Sequence, residues 1–290
     1  MPTAHLTNRG VVRVAGADAR AFLQGIVTCD LDHVSPGQAR YGALLTPQGK
    51  IMADFIVVEA PEEAGGGFYL DAPVVLCTEF VKRLGFYKLR AKVEVADLTQ
   101  GLAVLAGWGG AARPADEAGL VHDDPRLPAL GWRAIVAAED VGGLADASWA
   151  DYAPHRVRLG IPEGVPDFAY GDAFPHEALL DQLGGVDFGK GCYVGQEVVS
   201  RMQHRGTART RVVSLIYPEG FAAEPGSPVT AGERSLGTTG SGAGERGLAL
   251  VRIDRAADAL GVGEVILAGG MPARFDKPDW VRFPYPGESA

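Results

Sequence analysis

The sequence predicts an α+β protein with two ferredoxin-like domains in tandem and a small antiparallel β-barrel after them. Three observations predict this fold. The first hundred residues alternate short apolar strands with two helices, and a second, weaker set of similar elements follows. From about Arg211 onward, short β-type runs alternate with Gly- and Pro-rich turns. We therefore expect domains at 1–98, 99–210 and 211–290.

The first predicted domain has the element order β-α-β-β-α-β, which is typical of a ferredoxin-like unit. Its hairpin is the clearest element, because Pro47 and Gly49 stand where a type I turn favours them. The predicted elements are a strand at 11–14, a helix that Asp18 caps, a hairpin at 44–51 with its second strand reaching 58, a strand at 68–70, a helix that opens at 71–73 and buries Val75, and a strand at 92–95.

The remaining elements are less regular. In the second domain we expect strands at 102–106 and 132–136, a helix at 149–159, and a loop over the Pro-, Gly- and acid-rich stretch 111–128. In the barrel we expect strands at 212–217, 248–253 and 264–268.

Composition restricts the classes of function. The chain has 290 residues and a formal net charge of −9, which argues against broad binding to a nucleic-acid backbone. It shows no apolar signal core and no run of about 20 apolar residues, so we expect neither export nor a membrane partner. The three cysteines form no disulfide framework, which favours a reducing compartment, and we expect the cytoplasm.

One glycine-rich segment carries the predicted chemistry. Cys192 stands between Gly191 and a predicted helix at 196–202, and Lys190 lies two residues before it. A helix N-terminus and a neighbouring ammonium both favour thiolate over thiol, so Cys192 is a candidate nucleophilic, redox-active or metal-handling residue. The alternative is that Cys192 is a small buried residue in a connector.

The other two cysteines, Cys29 and Cys77, are expected to be buried and inert. Three cysteines cannot supply the four ligands that a stable iron–sulfur cluster normally takes, so a bound cluster would need ligands from a partner chain, a small thiol or a cofactor. The six histidines show no zinc-type spacing, and no resident metal is expected.

Charged residues follow the cysteine segment. Glu197 is the acid of the segment and is suited either to accept the adjacent N–H donors of a pterin ring or to stabilise the helix start. A cationic cluster follows, suited to carboxylates such as a glutamyl tail or simply to a solvated helix face; its members are Arg201, His204, Arg205, Arg209 and Arg211.

The segment Lys190-Gly-Cys-Tyr-Val-Gly-Gln-Glu197 resembles the K-G-C-F/Y-x-G-Q-E signature of the YgfZ family. The similarity extends over nearly the whole chain, through His176-Glu177, His204-Arg205-Gly206, Gly160-Ile161-Pro162 and the N-terminal pattern from Val14 to Asp30. It looks closest to the branch shared by alphaproteobacteria and mitochondria.

This resemblance implies a ring-like arrangement of the three domains, similar to the glycine-cleavage T-protein, with tetrahydrofolate in a central channel. It also implies support of iron–sulfur cluster assembly or repair in client enzymes, including radical enzymes that thiolate tRNA, without conventional turnover. The implied catalytic residues are Cys192 and Lys190, and the implied folate contacts are Arg9, Asp54, Tyr152, Tyr193, Gln196, Glu197 and Arg205. The expected partners are folate and iron–sulfur client or assembly proteins.

The alternative within the same superfamily is an aminomethyltransferase that passes a one-carbon unit to tetrahydrofolate. The T-protein carries adjacent acids on the strand after the hairpin, whereas this chain has Ala53-Asp54 and keeps one. Asp54 is then a channel carboxylate or an exposed strand acid.

Overall fold

The structure, a computed structural model, describes residues 1–218 and 220–288. Contacts between Cα atoms divide the chain into two compact units. The first unit comprises Met1–Tyr152 with Leu183–Glu197, and the second comprises Ala153–Gln182 with Val198–Ala290. The predicted domain ranges 1–98, 99–210 and 211–290 do not coincide with these units and stay predictions; residues 219, 289 and 290 of the last range lie outside the described residues.

The regular elements of the described residues are numbered in chain order. The strands are β1 (Thr3–His5), β2 (Arg9–Ala15), β3 (Arg40–Leu45), β4 (Ile51–Glu59), β5 (Phe68–Pro73), β6 (Glu94–Asp97), β7 (Leu102–Gly107), β8 (Gly119–Asp123), β9 (Trp132–Ala137), β10 (Ala147–Ser148), β11 (Thr210–Ile216), β12 (Pro228–Ala231), β13 (Arg234–Ala243), β14 (Arg246–Arg252), β15 (Ile266–Ala268), β16 (Met271–Pro272) and β17 (Arg274–Phe275). The α-helices are α1 (Ala19–Gln24), α2 (Cys77–Lys88), α3 (Val141–Leu144), α4 (Trp149–Arg158), α5 (Gln196–Arg205) and α6 (Ile253–Gly261).

The first unit contains two five-stranded sheets, which confirms the predicted α+β class. One sheet has the order β3-β4-β5-β2-β6 and is antiparallel throughout. Three strands lie between α1 and α2, as the predicted hairpin and the predicted strand at 68–70 require, whereas the order β-α-β-β-α-β counted only two. Helices α1 and α2 bury Phe22, Leu23, Phe80 and Leu84 in the apolar core of this sheet.

The first helix begins after Asp18 as predicted, but without the predicted side-chain cap, and the predicted start of the second helix is wrong. Asp18 makes no side-chain bond to α1, because its carboxylate accepts a hydrogen bond from the Lys92 backbone N–H at 2.7 Å. The second helix begins at Cys77 rather than at 71–73, because β5 continues to Pro73 and a 3-10 turn follows it. Val75 in that turn is 72% exposed rather than buried.

The second sheet has the order β10-β1-β7-β9-β8. The N-terminal strand β1 joins this sheet, pairing antiparallel with β7 and parallel with β10. The predicted loop at 111–128 is corrected by β8, which pairs antiparallel with β9 at the sheet edge. The Pro-, Gly- and acid-rich composition of this stretch favoured a loop, but long-range pairing with β9 imposes a strand. The strand begins at Gly119, whose φ is +154°.

The second unit contains an antiparallel sheet of seven strands in the order β16-β15-β12-β13-β14-β11-β17, as predicted for a barrel. The first of these strands along the chain begins at Thr210. Helix α6, which the sequence did not predict, connects β14 to β15. Among the described residues, no helix has both the length and the apolar character that crossing a bilayer requires.

Candidate functional site

Cys192 lies at the exposed apex of a loop in the first unit. Its thiol is exposed, and so is Gly191, whereas the flanking residues Lys190 and Tyr193 are only 8% and 6% exposed. Helix α5 begins at Gln196, four residues further on, as predicted. The alternative of a buried connector cysteine is therefore wrong.

The N-terminal side of this loop is fastened by Asp187 and Thr28. The Asp187 carboxylate accepts hydrogen bonds from the backbone N–H groups of Gly189 and Lys190, at 2.7 and 2.9 Å. The Asp187 N–H donates to the Thr28 carbonyl at 2.9 Å, and the buried Thr28 hydroxyl donates to the Gly185 carbonyl at 2.6 Å. The segment 185–190 is therefore held against the chain that follows α1.

The Lys190 ammonium turns away from solvent. Its Nζ donates to the carbonyl oxygens of Gln24, Val27 and Cys29, at 2.9, 2.7 and 2.8 Å. An ammonium has three donors, so these bonds use all of them. Burial lowers the pKa of Lys190 below its ordinary value, and nearby carboxylates oppose that effect.

The C-terminal side of the loop is fixed by packing. Gly195 has a φ of +81°, and a Cβ added there would lie 2.6 Å from the Thr46 carbonyl oxygen and 3.0 Å from the Gly49 Cα. A glycine is required because the loop adopts a left-handed conformation directly against the β3–β4 hairpin. Val194 packs against the core of the first sheet.

Tyr193 contributes a buried phenol to the same loop. Its hydroxyl has no hydrogen-bond partner among the described residues, and the Lys190 Nζ lies 5.6 Å from its ring centroid. Burial raises the pKa of Tyr193 to about 12, and the Asp187 charge adds to that effect. The ring therefore acts as a neutral apolar anchor at this position.

The other two cysteines are unavailable to a ligand. Cys29 and Cys77 are each 1% exposed and belong to the core of the first sheet, as expected. Burial raises the pKa of Cys29 to about 12. Cys192 is thus the accessible thiol of the three.

A buried chain of ion pairs lies between the two sheets of the first unit. Asp71 on β5 binds Arg9 on β2 and Arg133 on β9, each at 2.5 Å. Arg133 also binds Asp124 at 2.9 Å, and Asp124 binds Arg126 at 2.6 Å. These five side chains are between 1% and 8% exposed.

The two carboxyl groups of this ion-pair network have lowered pKa values because each contacts two arginines. Burial alone raises the pKa of the Asp71 carboxyl, but Arg9 and Arg133 together hold it below its ordinary value. For Asp124 the same burial is outweighed by Arg126 and Arg133, and its pKa is also lowered. Both carboxylates are therefore ionised and paired at neutral pH.

The predicted folate contacts Arg9, Asp54 and Tyr152 all lie in this interior. Asp54 is 4% exposed and accepts a hydrogen bond from the Tyr41 hydroxyl at 2.9 Å, so it is not an exposed strand acid. Tyr152 is 2% exposed, and its ring meets Trp108 edge-on with centroids 5.4 Å apart. All three side chains are largely closed to solvent in this structure, and their role as folate contacts stays a prediction.

The predicted contacts on α5 are more accessible. Gln196 is half-buried, and Glu197 and Arg205 are exposed. Glu197 lies in the first turn of α5, so both of its interpretations stay open. Arg211 is corrected as a member of the cationic cluster, because it is 7% exposed and its guanidinium binds Asp181 at 2.8 Å and the His176 carbonyl at 3.0 Å.

Two further features of the first unit were not predicted. The side chains of Asp30, His33 and Asp187 bring three possible metal-ligand atoms within 4.8 Å of one another, and nothing else in the described residues points to an ion there. A cavity of about 570 Å³ lies beside Tyr69, Leu120 and Ile135, and none of the predicted site residues lines it.

Sequence reasoning therefore found Cys192, Lys190 and Tyr193 but missed Thr28 and Asp187, which also hold the loop. Thr28 acts across 157 residues and carries no local signal. Asp187 had one, because an Asp two residues before a Gly is typical of a turn that its own carboxylate closes.

The comparisons with known proteins agree with the fold. Residues 4–139 match the family described as the GCVT N-terminal domain, and residues 209–283 match the CAF17 C-terminal beta-barrel domain. The crystal structure of glycine cleavage system aminomethyltransferase T from Bartonella henselae superposes with a TM-score of 0.77, covering 98% of this chain and 88% of that chain at 18% identity. This likeness establishes the fold.

The sequence relatives are more specific. The human iron-sulfur cluster assembly factor IBA57, mitochondrial, is 32% identical, covering 92% of this chain and 83% of the human protein. The mouse protein of the same name is 34% identical and is covered to 76%. The homologue from Mycosarcoma maydis is 34% identical, but the chain spans only 57% of its length. By its similarity to the human and mouse proteins, the chain belongs to the family of the iron–sulfur cluster assembly factor IBA57.

Proposed function

We propose that this chain takes part in the assembly or repair of iron–sulfur clusters in client proteins, with Cys192 as the residue that contacts the cluster. The observation that carries the proposal is the exposed Cys192 thiol between the buried side chains of Lys190 and Tyr193. An accessible thiol at a defined position is what a thiolate ligand or a sulfur-handling nucleophile requires. The family to which the chain belongs supports the same activity.

The cysteine inventory implies a shared cluster. Cluster iron is normally held by four protein ligands, mostly thiolates. This chain offers Cys192, while Cys29 and Cys77 lie in the core. The remaining ligands therefore come from a partner chain or a small thiol, and the cluster is cargo rather than a resident cofactor.

The test is rescue of iron–sulfur enzyme activity in a strain that lacks this chain. Wild type should restore the activity and Cys192→Ser should not, whereas Cys77→Ala should restore it at equal protein level because Cys77 is buried. Full rescue by Cys192→Ser would refute the assignment of Cys192.

Folate dependence is the second part of the proposal, and the structure changes which residues support it. Arg9, Asp54 and Tyr152 are closed within the interior, so no step of the function is assigned to a folate held there. Glu197 and Gln196 remain, because a carboxylate and an amide at accessible positions match the donors and acceptors of a pterin edge. The test is stabilisation by tetrahydrofolate in the wild type and in Glu197→Gln.

The client class is the third part. On the YgfZ resemblance we propose radical enzymes that thiolate tRNA among the clients, in a reducing compartment such as the cytoplasm. The free thiols of Cys29, Cys77 and Cys192 support that compartment, although the relatives are named as mitochondrial. Loss of thiolated nucleosides from the tRNA of the deletion strain would support this client class, and unchanged levels would reject it.

Aminomethyl transfer stays a prediction. Asp54, which would have to act in it, is buried against Tyr41. Assay of tetrahydrofolate-dependent glycine cleavage with the chain as sole aminomethyltransferase decides the matter, and measurable turnover would favour this alternative.

A further inference from the structure

We propose that Lys190 is a positioning residue: it fixes the Cys192 thiol in space by tying its loop to the C-terminal end of α1. The inference rests on the proposed function only in taking Cys192 as the cluster contact. It replaces the interpretation from the sequence alone, in which the Lys190 charge activates the thiol.

Lys190 binds carbonyl oxygens at and just beyond the end of α1. Helix α1 is six residues long and ends at Gln24, and the last carbonyls of a helix have no partner within it. The Lys190 ammonium binds the Gln24 carbonyl and, just beyond the helix, those of Val27 and Cys29, all within 2.9 Å. A cation at a helix C-terminus is favourable, and here it satisfies three carbonyls at once.

The three carbonyl oxygens around the Lys190 Nζ suit an ammonium better than a guanidinium. An ammonium directs three N–H bonds toward one side, which suits three carbonyls that converge on a single atom. A guanidinium is planar and directs its donors outward in a fork, so it cannot reproduce this arrangement although it carries the same charge. Lys190 and arginine are therefore not interchangeable at this site, and the difference separates charge from geometry.

The loop that carries Cys192 is held on both sides of its apex. On one side the loop is held by Lys190, Asp187 and Thr28. On the other side it is held by the buried Tyr193 and by Gly195 against the hairpin. Gly191 and Cys192 are the two exposed residues between these attachments. The thiol position is thus set by buried contacts, and removal of the Lys190 contacts releases one end of the loop.

The experiment compares Lys190→Arg with Lys190→Met. Both should lower client activation by about tenfold or more, since displacement of a reacting group by about 1 Å is known to have effects of that order. Both should also speed amide hydrogen exchange over 189–193. The pKa of the Cys192 thiol, measured as alkylation rate against pH, should stay the same in both variants, because the proposal gives Lys190 no role in ionising the thiol.

Two results would overturn the inference. If the thiol pKa rises in Lys190→Met and not in Lys190→Arg, and Lys190→Arg restores activity, the charge matters and not the geometry. If loop exchange is unchanged in Lys190→Met, Lys190 does not hold the loop. Lys82→Met, which removes an exposed charge elsewhere, is the matched control for net charge.

A second pair of variants, at Thr28, tests the same inference if the Lys190 variants do not fold. Thr28→Val removes the hydroxyl that bonds Gly185, and Thr28→Ser keeps it. Faster loop exchange and lower client activation in Thr28→Val alone support the fastened loop, and equal behaviour of the two variants contradicts it. Alkylation and exchange need no client, so they report on Lys190 even if full rescue by Cys192→Ser refutes the proposed function.

Discussion

Gly195→Ala tests whether the loop that carries Cys192 is fixed against the hairpin. Two costs add at this position. The left-handed backbone, with φ of +81°, costs an alanine roughly 1–2 kcal/mol. The new Cβ would lie 2.6 Å from the Thr46 carbonyl oxygen, and relief of such an overlap costs about 1–3 kcal/mol. The nearest atoms belong to backbone, which cannot rotate away.

The expected destabilisation is therefore about 3 kcal/mol, which lowers the melting temperature by roughly 6–12 °C in a unit of this size. The matched control is Gly191→Ala in the same loop, where an added Cβ meets nothing within 4 Å. Thermal unfolding followed by circular dichroism measures both. If Gly195→Ala melts within 2 °C of Gly191→Ala, the close packing of the loop on the hairpin is refuted.

Three further outcomes are expected. Asp71→Asn should destabilise the chain by roughly 3–5 kcal/mol, because it leaves buried arginines without their counter-charge. The folded pKa of Asp71 is depressed, so its stabilising effect is present above the unfolded pKa of about 3.9 and is lost as pH falls below it; acid denaturation followed from pH 7 to 2 should be shallower in the variant. One of the three thiols, Cys192, should react with an aromatic disulfide reagent under native conditions, since Cys29 and Cys77 are buried; two or more reactive thiols would contradict the fold of the first sheet. Tetrahydrofolate at about 100 times its Kd should stabilise the wild type by about 2.7 kcal/mol, and Glu197→Gln should reduce that shift; no shift in the wild type at millimolar ligand would remove the folate prediction.

Local patterns in the sequence were sufficient for much of the fold. The hairpin turn at Pro47 and Gly49 and the strand at 11–14 follow from residue preferences within a few positions. The placement of Cys192 before a helix follows in the same way, from glycines and then helix-forming residues. In these elements a helix face or a turn decides the structure, although local signals of the same kind at Asp187 and in α6 were missed.

Features that depend on distant partners were not predictable. Strand β8 exists because it pairs with β9, and its glycine-containing sequence has little strand preference of its own. Lys190 contacts carbonyls that lie 161 to 166 residues earlier in the chain. Lys190 stands only two residues before Cys192 in the sequence, which suggested that its charge acts on the thiol. In the structure the Lys190 ammonium instead donates to three backbone carbonyls.

Arg9 has two possible roles, to stack on a pterin or to pair with Asp71. The free energy of the buried ion pair can be compared with the binding free energy of a ligand. A guanidinium plane suits a pterin, but Asp71 holds Arg9 at 2.5 Å within the interior. Breaking a buried pair costs about 3–5 kcal/mol, while a ligand of micromolar affinity has about 8.2 kcal/mol of binding free energy in total. A pterin whose binding required the Arg9–Asp71 pair to open would thus lose about half of its binding free energy. Glu197 lies at an exposed position in the first turn of α5, which a ligand reaches without entering the interior, and for this reason Glu197 rather than Arg9 is the residue through which folate dependence should be tested.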